Sequence, residues 1–358
     1  MVEILASRPR DVRSLPELFF VISGEHPTLP LGELTAVLEA SATQFAIKTD
    51  AFKYVEVNTQ SDVAFEVGKR SGYTDEAGVH VFTCEPTLDG IGRAVNETGL
   101  SEFLSKEESF NIRVARYGGV TKEISRVGLE AILGDRIARE TSAKVNLTSP
   151  DKRFRGIFTG SSFHLGIIEY QRPKASIANR RPRKRPSFHP STMVPKLARS
   201  MVNLSQPRPG DLFLDPFCGV GGILLEACLI GCSGVGMDAL PRMVRGTRRN
   251  LAHFGLASLG LVEGDARKLP FREVGAIATD PPYGTGASTL KSTTRKILDE
   301  FLPQARSILA IGRRLVVASP LGTAASQSAD DSGFKVLDRH LVYVHRSLTR
   351  EILVLGAV

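Results

Sequence analysis

Apolar and polar residues divide the first quarter of the chain into short elements. Short apolar runs flanked by turn-forming residues predict strands, and apolar positions three and four apart predict helices. The predicted order is strand, helix, strand, strand, helix, strand, which is the split pattern of a ferredoxin-like unit. The strands are expected at residues 18–23, 45–48, 52–57 and 79–84, and the helices at residues 31–40 and 62–69.

A second unit with one long helix follows. Residues 110–117 alternate apolar and basic side chains, which predicts a half-buried strand. Residues 122–141 carry most of their apolar side chains on one side of a predicted helix. Residues 153–159 and 163–170 predict a hairpin, because a short Gly-Ser-Ser segment separates two strand-like runs.

The composition changes abruptly between residues 171 and 200, where prolines recur and basic side chains follow one another with no acid between them. Prolines disfavour helices, so this segment is expected to be an extended interdomain linker. A run of like charges repels itself unless an anion neutralises it, and the linker is therefore expected to lie along phosphates. The alternative is a basic linker that is merely solvated. The candidate RNA contacts are Arg180, Arg181, Arg183, Lys184 and Arg185, with Arg153 and Arg155 on the exposed side of the preceding hairpin.

The last part of the chain predicts a doubly wound α/β domain. The apolar run 212–215 ends in Asp215 and leads through a glycine-rich turn into a predicted helix at residues 223–230. Glycines at such a turn let the backbone approach a ligand, and the helix start offers free N–H groups. Two further strands lead to Asp238 and Asp265, and Asp238 is placed to accept hydrogen bonds from ribose hydroxyls.

A dinucleotide enzyme is the competing interpretation of this pattern. The dinucleotide fingerprint is G-x-G-x-x-G, whereas the turn here contains G-x-G-G. Asp215 directly before the turn would repel a pyrophosphate. S-adenosylmethionine carries an ammonium, a sulfonium and a nucleoside, and the three acids suit it better.

The sequence Asp280-Pro281-Pro282-Tyr283-Gly284 follows another apolar run, residues 274–278. Consecutive prolines end a strand because they cannot donate to its ladder. A carboxylate, a proline carbonyl and an aromatic ring are therefore expected together at the carboxyl end of a strand. Two acceptors and a ring face suit an amine on a flat heterocycle; the plain alternative is a strand-end turn.

Overall composition narrows the class of protein. The net charge of +8 and the isoelectric point near 9.4 favour a polyanionic partner. No apolar run reaches the ~18 residues of a membrane span, and residues 1–13 lack the apolar core of a secretory signal. The four cysteines form no evident disulfide framework. The spacing of Cys228 and Cys232 is only a weak signal for a zinc site, so no bound metal is expected. A reduced, cytoplasmic protein is expected.

Residues 215–222 and 280–284 resemble the cofactor and catalytic motifs of amino-methylating methyltransferases that use S-adenosylmethionine. Residues 186–193 and 195–199 are similar to archaeal tRNA guanosine-10 N2-methyltransferases, and the resemblance covers nearly the whole chain. It implies an α/β fold in which a Rossmann-like methyltransferase domain follows an α+β module. The implied boundaries are a ferredoxin-like domain at 16–88, a THUMP RNA-binding domain at 89–171, the linker at 172–198 and the methyltransferase domain at 199–358.

The resemblance also implies roles for individual residues. Asp280 and the Pro281 carbonyl would accept hydrogen bonds from the N–H groups of the guanine amine, and Tyr283 would stack on the base. Val220 departs from the family pattern, which more often has Thr. The implied cofactor site comprises His189, Asp215, Phe217, Cys218, Gly219, Gly221, Asp238, Asp265, Ala266 and Asp280.

Several alternatives stay open at this point. Sister families act at tRNA position 6 or on ribosomal RNA, and their motif more often begins with Asn than with Asp. A THUMP-type RNA-binding protein with an inactive catalytic domain and a DNA amino-methyltransferase are the others, both disfavoured. The expected partner is tRNA, and binding to a membrane or to DNA is not expected. The protein is expected to be a monomer. The number of methyl groups and the need for an accessory protein are open.

Overall fold

The computed structural model describes residues 17–41, 44–59, 63–118, 123–208, 210–283 and 292–358. These residues form two compact units, each built on one β-sheet. Within the described ranges, unit 1 takes in residues 17–24, 44–59, 63–69 and 74–172, and unit 2 takes in residues 25–41, 70–73 and 173–358.

The sheet of unit 1 has, among the described residues, the strand order β2-β3-β1-β4-β8-β7-β5-β6. Its first six strands pair antiparallel, whereas β5 runs parallel to both of its neighbours. Phe110, Phe154 and Phe163 lie in the apolar core on this sheet. The strands are β1 (Glu17–Ile22), β2 (Ala46–Ala51), β3 (Tyr54–Asn58), β4 (Thr74–Cys84), β5 (Ser109–Arg116), β6 (Lys144–Val145), β7 (Lys152–Phe158) and β8 (Phe163–Gln171).

The sheet of unit 2 has the strand order β11-β10-β9-β12-β13-β15-β14 in the described part of the chain. The five strands from β11 to β13 are parallel, and β15 lies antiparallel between β13 and β14. The carboxyl ends of the parallel strands therefore share one edge with the amino end of β15. The strands are β9 (Leu212–Asp215), β10 (Ser233–Asp238), β11 (Gly260–Glu263), β12 (Ala276–Thr279), β13 (Arg314–Pro320), β14 (Phe334–His345) and β15 (Leu348–Ala357).

Helices connect and cover these strands. None of the described helices is long and apolar enough to cross a membrane. Short 3-10 helices also occur at Leu100–Glu102 and Pro182–Lys184. The α-helices are α1 (Leu29–Ala40), α2 (Val63–Arg70), α3 (Leu88–Glu97), α4 (Arg126–Thr141), α5 (Lys174–Ala178), α6 (Pro195–Leu204), α7 (Gly222–Leu229), α8 (Pro241–His253), α9 (Thr294–Ile308) and α10 (Ala325–Asp331).

Helix α1 belongs to unit 2, although its sequence lies between two strands of unit 1. Its fully buried Glu33 accepts hydrogen bonds from the backbone N–H groups of Gly72 (2.7 Å) and Tyr73 (2.8 Å). The amide of Asn203 on α6 donates a further bond of 2.7 Å to the same carboxylate. A buried carboxylate needs such donors, so Glu33 ties α1 to residues 70–73 and to α6.

The element order expected from the sequence is confirmed for the described residues. The strand-helix-strand-strand-helix-strand series corresponds to β1 to β4, and the hairpin corresponds to β7 and β8. The long helix begins at Arg126, and residues 119–122 lie outside the described ranges. The β4 strand begins five residues earlier than expected, at Thr74.

The prediction that prolines keep the basic segment extended was wrong. Pro173 directly precedes α5, and Pro182 opens the 3-10 helix that follows. Proline is tolerated in the first turn of a helix, where its missing N–H would have had no helical partner. Pro173 and Pro182 therefore introduce short helices.

Candidate active site at the carboxyl ends of the parallel strands

Acidic residues from separate strands meet at one edge of the unit 2 sheet. Asp215 is the last residue of β9, Asp238 is the last of β10, and Asp280 directly follows β12. These residues and Asp265 line one cavity of about 810 Å³. The size is in the range of small-molecule sites, and this edge of an open α/β sheet is where ligands bind.

The structure brings almost the entire predicted cofactor set to this cavity. The exception is Gly221, which is not among the lining residues. Gly221 has φ +81°, and a Cβ there would lie 2.8 Å from Cγ2 of Thr247, so this glycine is required by the turn and its packing. The predicted residues that line the cavity are His189, Asp215, Phe217, Cys218, Gly219, Asp238, Asp265, Ala266 and Asp280, with Pro281 and Tyr283 of the predicted catalytic motif.

Gly219 has the geometry expected of a glycine that approaches a ligand. Its φ is +53°, and a Cβ built there would have no heavy atom within 4 Å. Its N–H donates to Asp238 Oδ2 at 3.0 Å, which fixes the turn against the end of β10. The backbone is thus exposed to the cavity without a side chain in the way.

Asp215 is the most deeply buried of these acids, with 1 % of its surface exposed. Its Oδ1 accepts hydrogen bonds from the Thr279 hydroxyl (2.8 Å) and from the Phe217 N–H (3.4 Å). Burial, with a smaller contribution from the nearby carboxylates of Asp238 and Asp280, raises the pKa of Asp215 to about 7. A cationic ligand would favour the ionised form of this group.

Asp238 and Asp265 differ in their surroundings. Asp238 accepts from Gly219 as described and from the Leu240 N–H at 2.9 Å, while burial raises its pKa. Asp265 is held by the Arg267 side chain, whose hydrogen bond lowers the pKa of that carboxyl. Asp238 is consequently the better placed of the two to accept from a ligand, because no cation neutralises it through a direct hydrogen bond among the described residues.

His189 and Val220 also line the cavity. His189 is half-buried, and its Nδ1 lies 2.7 Å from the Ser191 hydroxyl, which orients the ring. Val220 is buried, and its carbonyl accepts a 2.7 Å bond from the Asn250 amide. Val220 therefore contributes packing and a backbone contact at the position where the family pattern more often has a hydroxyl.

Asp280 and Tyr283 form a tight group with Arg350, a residue that the sequence analysis did not select. The Tyr283 hydroxyl donates to Asp280 Oδ1, and Arg350 Nη2 donates to Asp280 Oδ2 at 3.2 Å. The only sequence signal for this arginine would have been a charged pair, Arg350 and Glu351, at the start of an otherwise apolar run. Gly284, the last residue of the motif, lies outside the described residues.

Residues from the first quarter of the chain also reach this cavity. Glu25, His26 and Tyr73, all part of unit 2, line it. The His26 and Tyr73 rings meet edge to face at 5.5 Å. Sequence reasoning missed them, because no local pattern connects them with the methyltransferase-like motifs.

The predicted basic RNA contacts fall into two groups. Arg181, Arg183 and Lys184 are exposed. Arg180, in contrast, donates from Nε to the fully buried Glu226 at 2.8 Å. Arg185 is 5 % exposed and donates to the Arg180 carbonyl at 2.8 Å.

The two predicted arginines of unit 1 have partners as well. Arg155 Nε donates to Glu76 at 2.8 Å, and both side chains are largely buried. Arg153 donates to the Gln171 side chain at 2.9 Å and stays partly exposed. Of the seven predicted RNA-binding residues, Arg155, Arg180 and Arg185 thus hold the fold through these bonds.

Comparison with known proteins places the chain in a family. Residues 182–352 match the UPF0020 family, described as an RMKL-like methyltransferase domain. A tRNA (guanine(10)-N2)-dimethyltransferase of Methanothermobacter thermautotrophicus is 37 % identical, over 96 % of this chain and 100 % of the relative. The chain belongs to the tRNA (guanine(10)-N2)-dimethyltransferase family. A second relative of that name, from Methanocaldococcus jannaschii, is 33 % identical over 93 % of this chain and 97 % of its own.

A solved structure has the same fold over nearly the whole chain. TrmN from Thermus thermophilus superposes with a TM-score of 0.55 and covers 96 % of this chain and 100 % of its own, at 22 % identity. The α/β methyltransferase fold expected from the sequence is thereby confirmed.

Proposed function

We propose that the protein transfers methyl groups from S-adenosylmethionine to the exocyclic N2 amine of guanosine 10 in tRNA. The observation that carries this proposal is the cavity in which Asp215, Asp238 and Asp280 converge beside the Gly219 backbone. Membership in a family whose relatives are named for that reaction supports the same activity. Their names also favour the transfer of two methyl groups.

The residues present fit the cofactor. Its ammonium and sulfonium charges suit the acidic edge formed by Asp215 and Asp238, and its ribose hydroxyls suit Asp238 as acceptor. The open backbone at Gly219 leaves room for close approach. S-adenosylmethionine, when bound, supplies the electrophilic methyl group.

The residues of the catalytic motif act on the amine. The lone pair of an aromatic amine is delocalised into the ring, which makes it a poor nucleophile. Asp280 and the Pro281 carbonyl accept hydrogen bonds from its two N–H groups and draw the lone pair out of conjugation with the ring. Positioning of this kind is worth up to ~7–11 kcal/mol in favourable cases. Asp280 is also the proton acceptor.

Tyr283 stacks on the base, a contact worth ~1–3 kcal/mol. Since guanosine 10 lies in a paired stem, the nucleotide must leave the stack to reach this cavity. In the free protein the Tyr283 hydroxyl is bonded to Asp280. Entry of the base therefore exchanges this internal bond for one from the amine.

The N-terminal part of the chain serves tRNA binding in this proposal. The β1 to β4 order, with β2-β3-β1-β4 as neighbours, supports a ferredoxin-like domain ending near residue 88. Residues 89–171 form the THUMP module, 172–198 the basic linker and 199–358 the methyltransferase domain. The exposed Arg181, Arg183 and Lys184 of the linker contact phosphates.

The decisive experiment combines the purified protein with labelled S-adenosylmethionine and unmodified tRNA transcripts. Digestion and mapping should detect label at guanosine 10 as N2-methyl and N2-dimethyl guanosine. A transcript with adenosine at position 10 is the matched control and should stay unlabelled. Label at position 6, or binding of tRNA without transfer, would contradict the proposal.

A further inference from the structure

Arg350 reaches the active-site edge because its strand runs against the others. β15 is antiparallel to β13, and Arg350 pairs with Pro320, the last residue of β13. The third residue of β15 therefore lies beside the carboxyl ends of the parallel strands. A side chain 70 positions away in sequence is placed next to Asp280 in this way.

Arg350 contacts both polar residues of the catalytic motif at once. Its Nη2 donates to Asp280 Oδ2 at 3.2 Å, and its Nε donates to the Tyr283 hydroxyl at 3.2 Å. The Tyr283 hydroxyl donates in turn to Asp280 Oδ1, so the three groups form a closed ring of hydrogen bonds. The guanidinium also lies over the Tyr283 ring, 5.7 Å from its centre.

Asp280 and Arg350 form a largely buried ion pair. The Asp280 side chain is 15 % exposed and that of Arg350 is 10 % exposed, so water screens their interaction weakly. Among the residues that the structure describes, the charged and titratable groups that face Asp280 are Arg350, Tyr283 and a second buried acid, Asp215. Burial raises the pKa of Asp280, whereas the positive charge of Arg350 and the Tyr283 hydrogen bond oppose that rise.

We propose that Arg350 is a positioning residue of the methyl-transfer reaction, which keeps the Asp280 carboxylate charged and turned toward the substrate amine and fixes the Tyr283 ring. This role rests on the proposed function of the site. Arg350 holds Oδ2, and Oδ1, the partner of the Tyr283 hydroxyl, is then the oxygen that turns to the amine. The planar guanidinium serves two acceptors in fixed directions, which a lysine ammonium cannot reproduce.

The test compares three variants in single-turnover methyl transfer to tRNA across pH. Arg350→Met removes the positive charge. Arg350→Lys keeps the charge but loses the planar guanidinium that donates to two acceptors in fixed directions. Arg339→Met is the matched control, because Arg339 lies on the neighbouring strand β14 and pairs at 2.6 Å with Glu351, adjacent to Arg350 in sequence. Binding of S-adenosylmethionine and of tRNA is measured for each variant by titration.

Arg350→Met is expected to lower the rate at neutral pH by about 10²-fold. The acid limb of its pH profile should move to higher pH by about 1–3 units, because the carboxylate loses the opposite charge that favours its ionised form. Arg350→Lys should keep the acid limb near its wild-type position and lose about 10-fold in rate. Arg339→Met should match the wild type in both respects.

A second readout needs no turnover. Carboxyl carbon NMR of protein labelled at aspartate, with the Asp280 signal assigned from Asp280→Asn, should give a higher pKa for Asp280 in Arg350→Met than in the wild type. An unchanged titration of Asp280 in folded Arg350→Met would overturn the proposal. If Arg350→Met does not fold, Arg350→Lys decides, and a wild-type rate in that variant would overturn it equally. A wild-type protein that leaves tRNA unmethylated would refute the proposed function. The NMR titration would still test whether Arg350 lowers the pKa of Asp280.

Discussion

The Thr279 hydroxyl donates a 2.8 Å hydrogen bond to Oδ1 of Asp215 across the adjacent strands β12 and β9. Thr279 is itself fully buried, so this bond lies in the interior of unit 2. It satisfies one oxygen of a carboxyl group whose burial raises its pKa to about 7. Ionised Asp215 therefore destabilises the folded protein, and a cationic ligand would offset this effect.

Replacement of Asp215 by asparagine should stabilise the ligand-free protein at alkaline pH. The unfolded carboxyl ionises near its ordinary pKa of 3.8, whereas the folded one holds its proton up to about pH 7. Wild-type stability consequently falls as pH rises between these values and stays low above them. Near pH 8, denaturant unfolding should give a free energy of unfolding about 4 kcal/mol higher for Asp215→Asn than for the wild type, and below the unfolded pKa it should give no difference. An advantage of equal size at all pH values would contradict this account.

The affinity for S-adenosylmethionine should depend on the ionisation of Asp215. Since the cofactor's positive charges favour the ionised carboxyl, affinity should rise as pH passes through about 7 and then level off. Asp215→Asn should bind more weakly and lose this pH dependence, as calorimetric titration would reveal. Asp265→Asn is the control, because Asp265 has a lowered pKa and is ionised throughout this range.

Replacement of Asp238 by alanine should weaken cofactor binding by about 1.5–3 kcal/mol, the value of a hydrogen bond to a charged group. The carboxylate also accepts from the backbone of Gly219 and Leu240, so the turn loses support as well. Asp238→Asn, which keeps one acceptor oxygen, should fall between the wild type and Asp238→Ala. Unchanged affinity in folded Asp238→Ala would remove this residue from the cofactor site.

Replacement of Asp280 by alanine should lower methyl transfer by at least ~10²-fold while binding of tRNA stays nearly intact, because tRNA affinity comes mainly from phosphates. Asp280→Asn keeps an acceptor oxygen but cannot take a proton. Partial activity of that variant in single-turnover assays would show that Asp280 acts mainly by orienting the substrate amine. A near-total loss of activity would show that the negative charge of Asp280 is needed. A wild-type rate in Asp280→Ala would exclude the proposed catalytic site.

The exposed basic side chains of the segment and Arg180, which is paired with Glu226, should respond differently to neutralisation. Changing Arg181, Arg183 and Lys184 to glutamine should weaken tRNA binding and reduce its salt slope by about one for each phosphate that is no longer neutralised. Arg180→Gln should leave the slope unchanged and lower the free energy of unfolding by roughly 1–3 kcal/mol, because it removes a partner of the buried Glu226. Binding titrations at several salt concentrations, with melting curves, distinguish the two effects.

Local sequence patterns predicted much of this protein because they act over a few residues. An apolar run followed by a carboxylate predicted the ends of β9 and β10, and the prolines after Asp280 predicted the end of β12. The positive φ of Gly219 and Gly221 follows from the requirements of a tight turn before a helix. Since parallel strands present their carboxyl ends at one edge, Asp215, Asp238 and Asp280 were expected to meet there, and they line one cavity.

Only the tertiary structure decided which distant side chains meet. The pairing of Arg350 with Asp280 depends on a terminal strand that inserts antiparallel next to β13, and no local periodicity encodes that position. The same holds for Arg180, whose charge suggested phosphate but whose partner Glu226 lies 46 residues away on α7. A sequence gives the charge and the local backbone of each residue, whereas the desolvation and the partners of that charge depend on contacts formed when the sheet is complete.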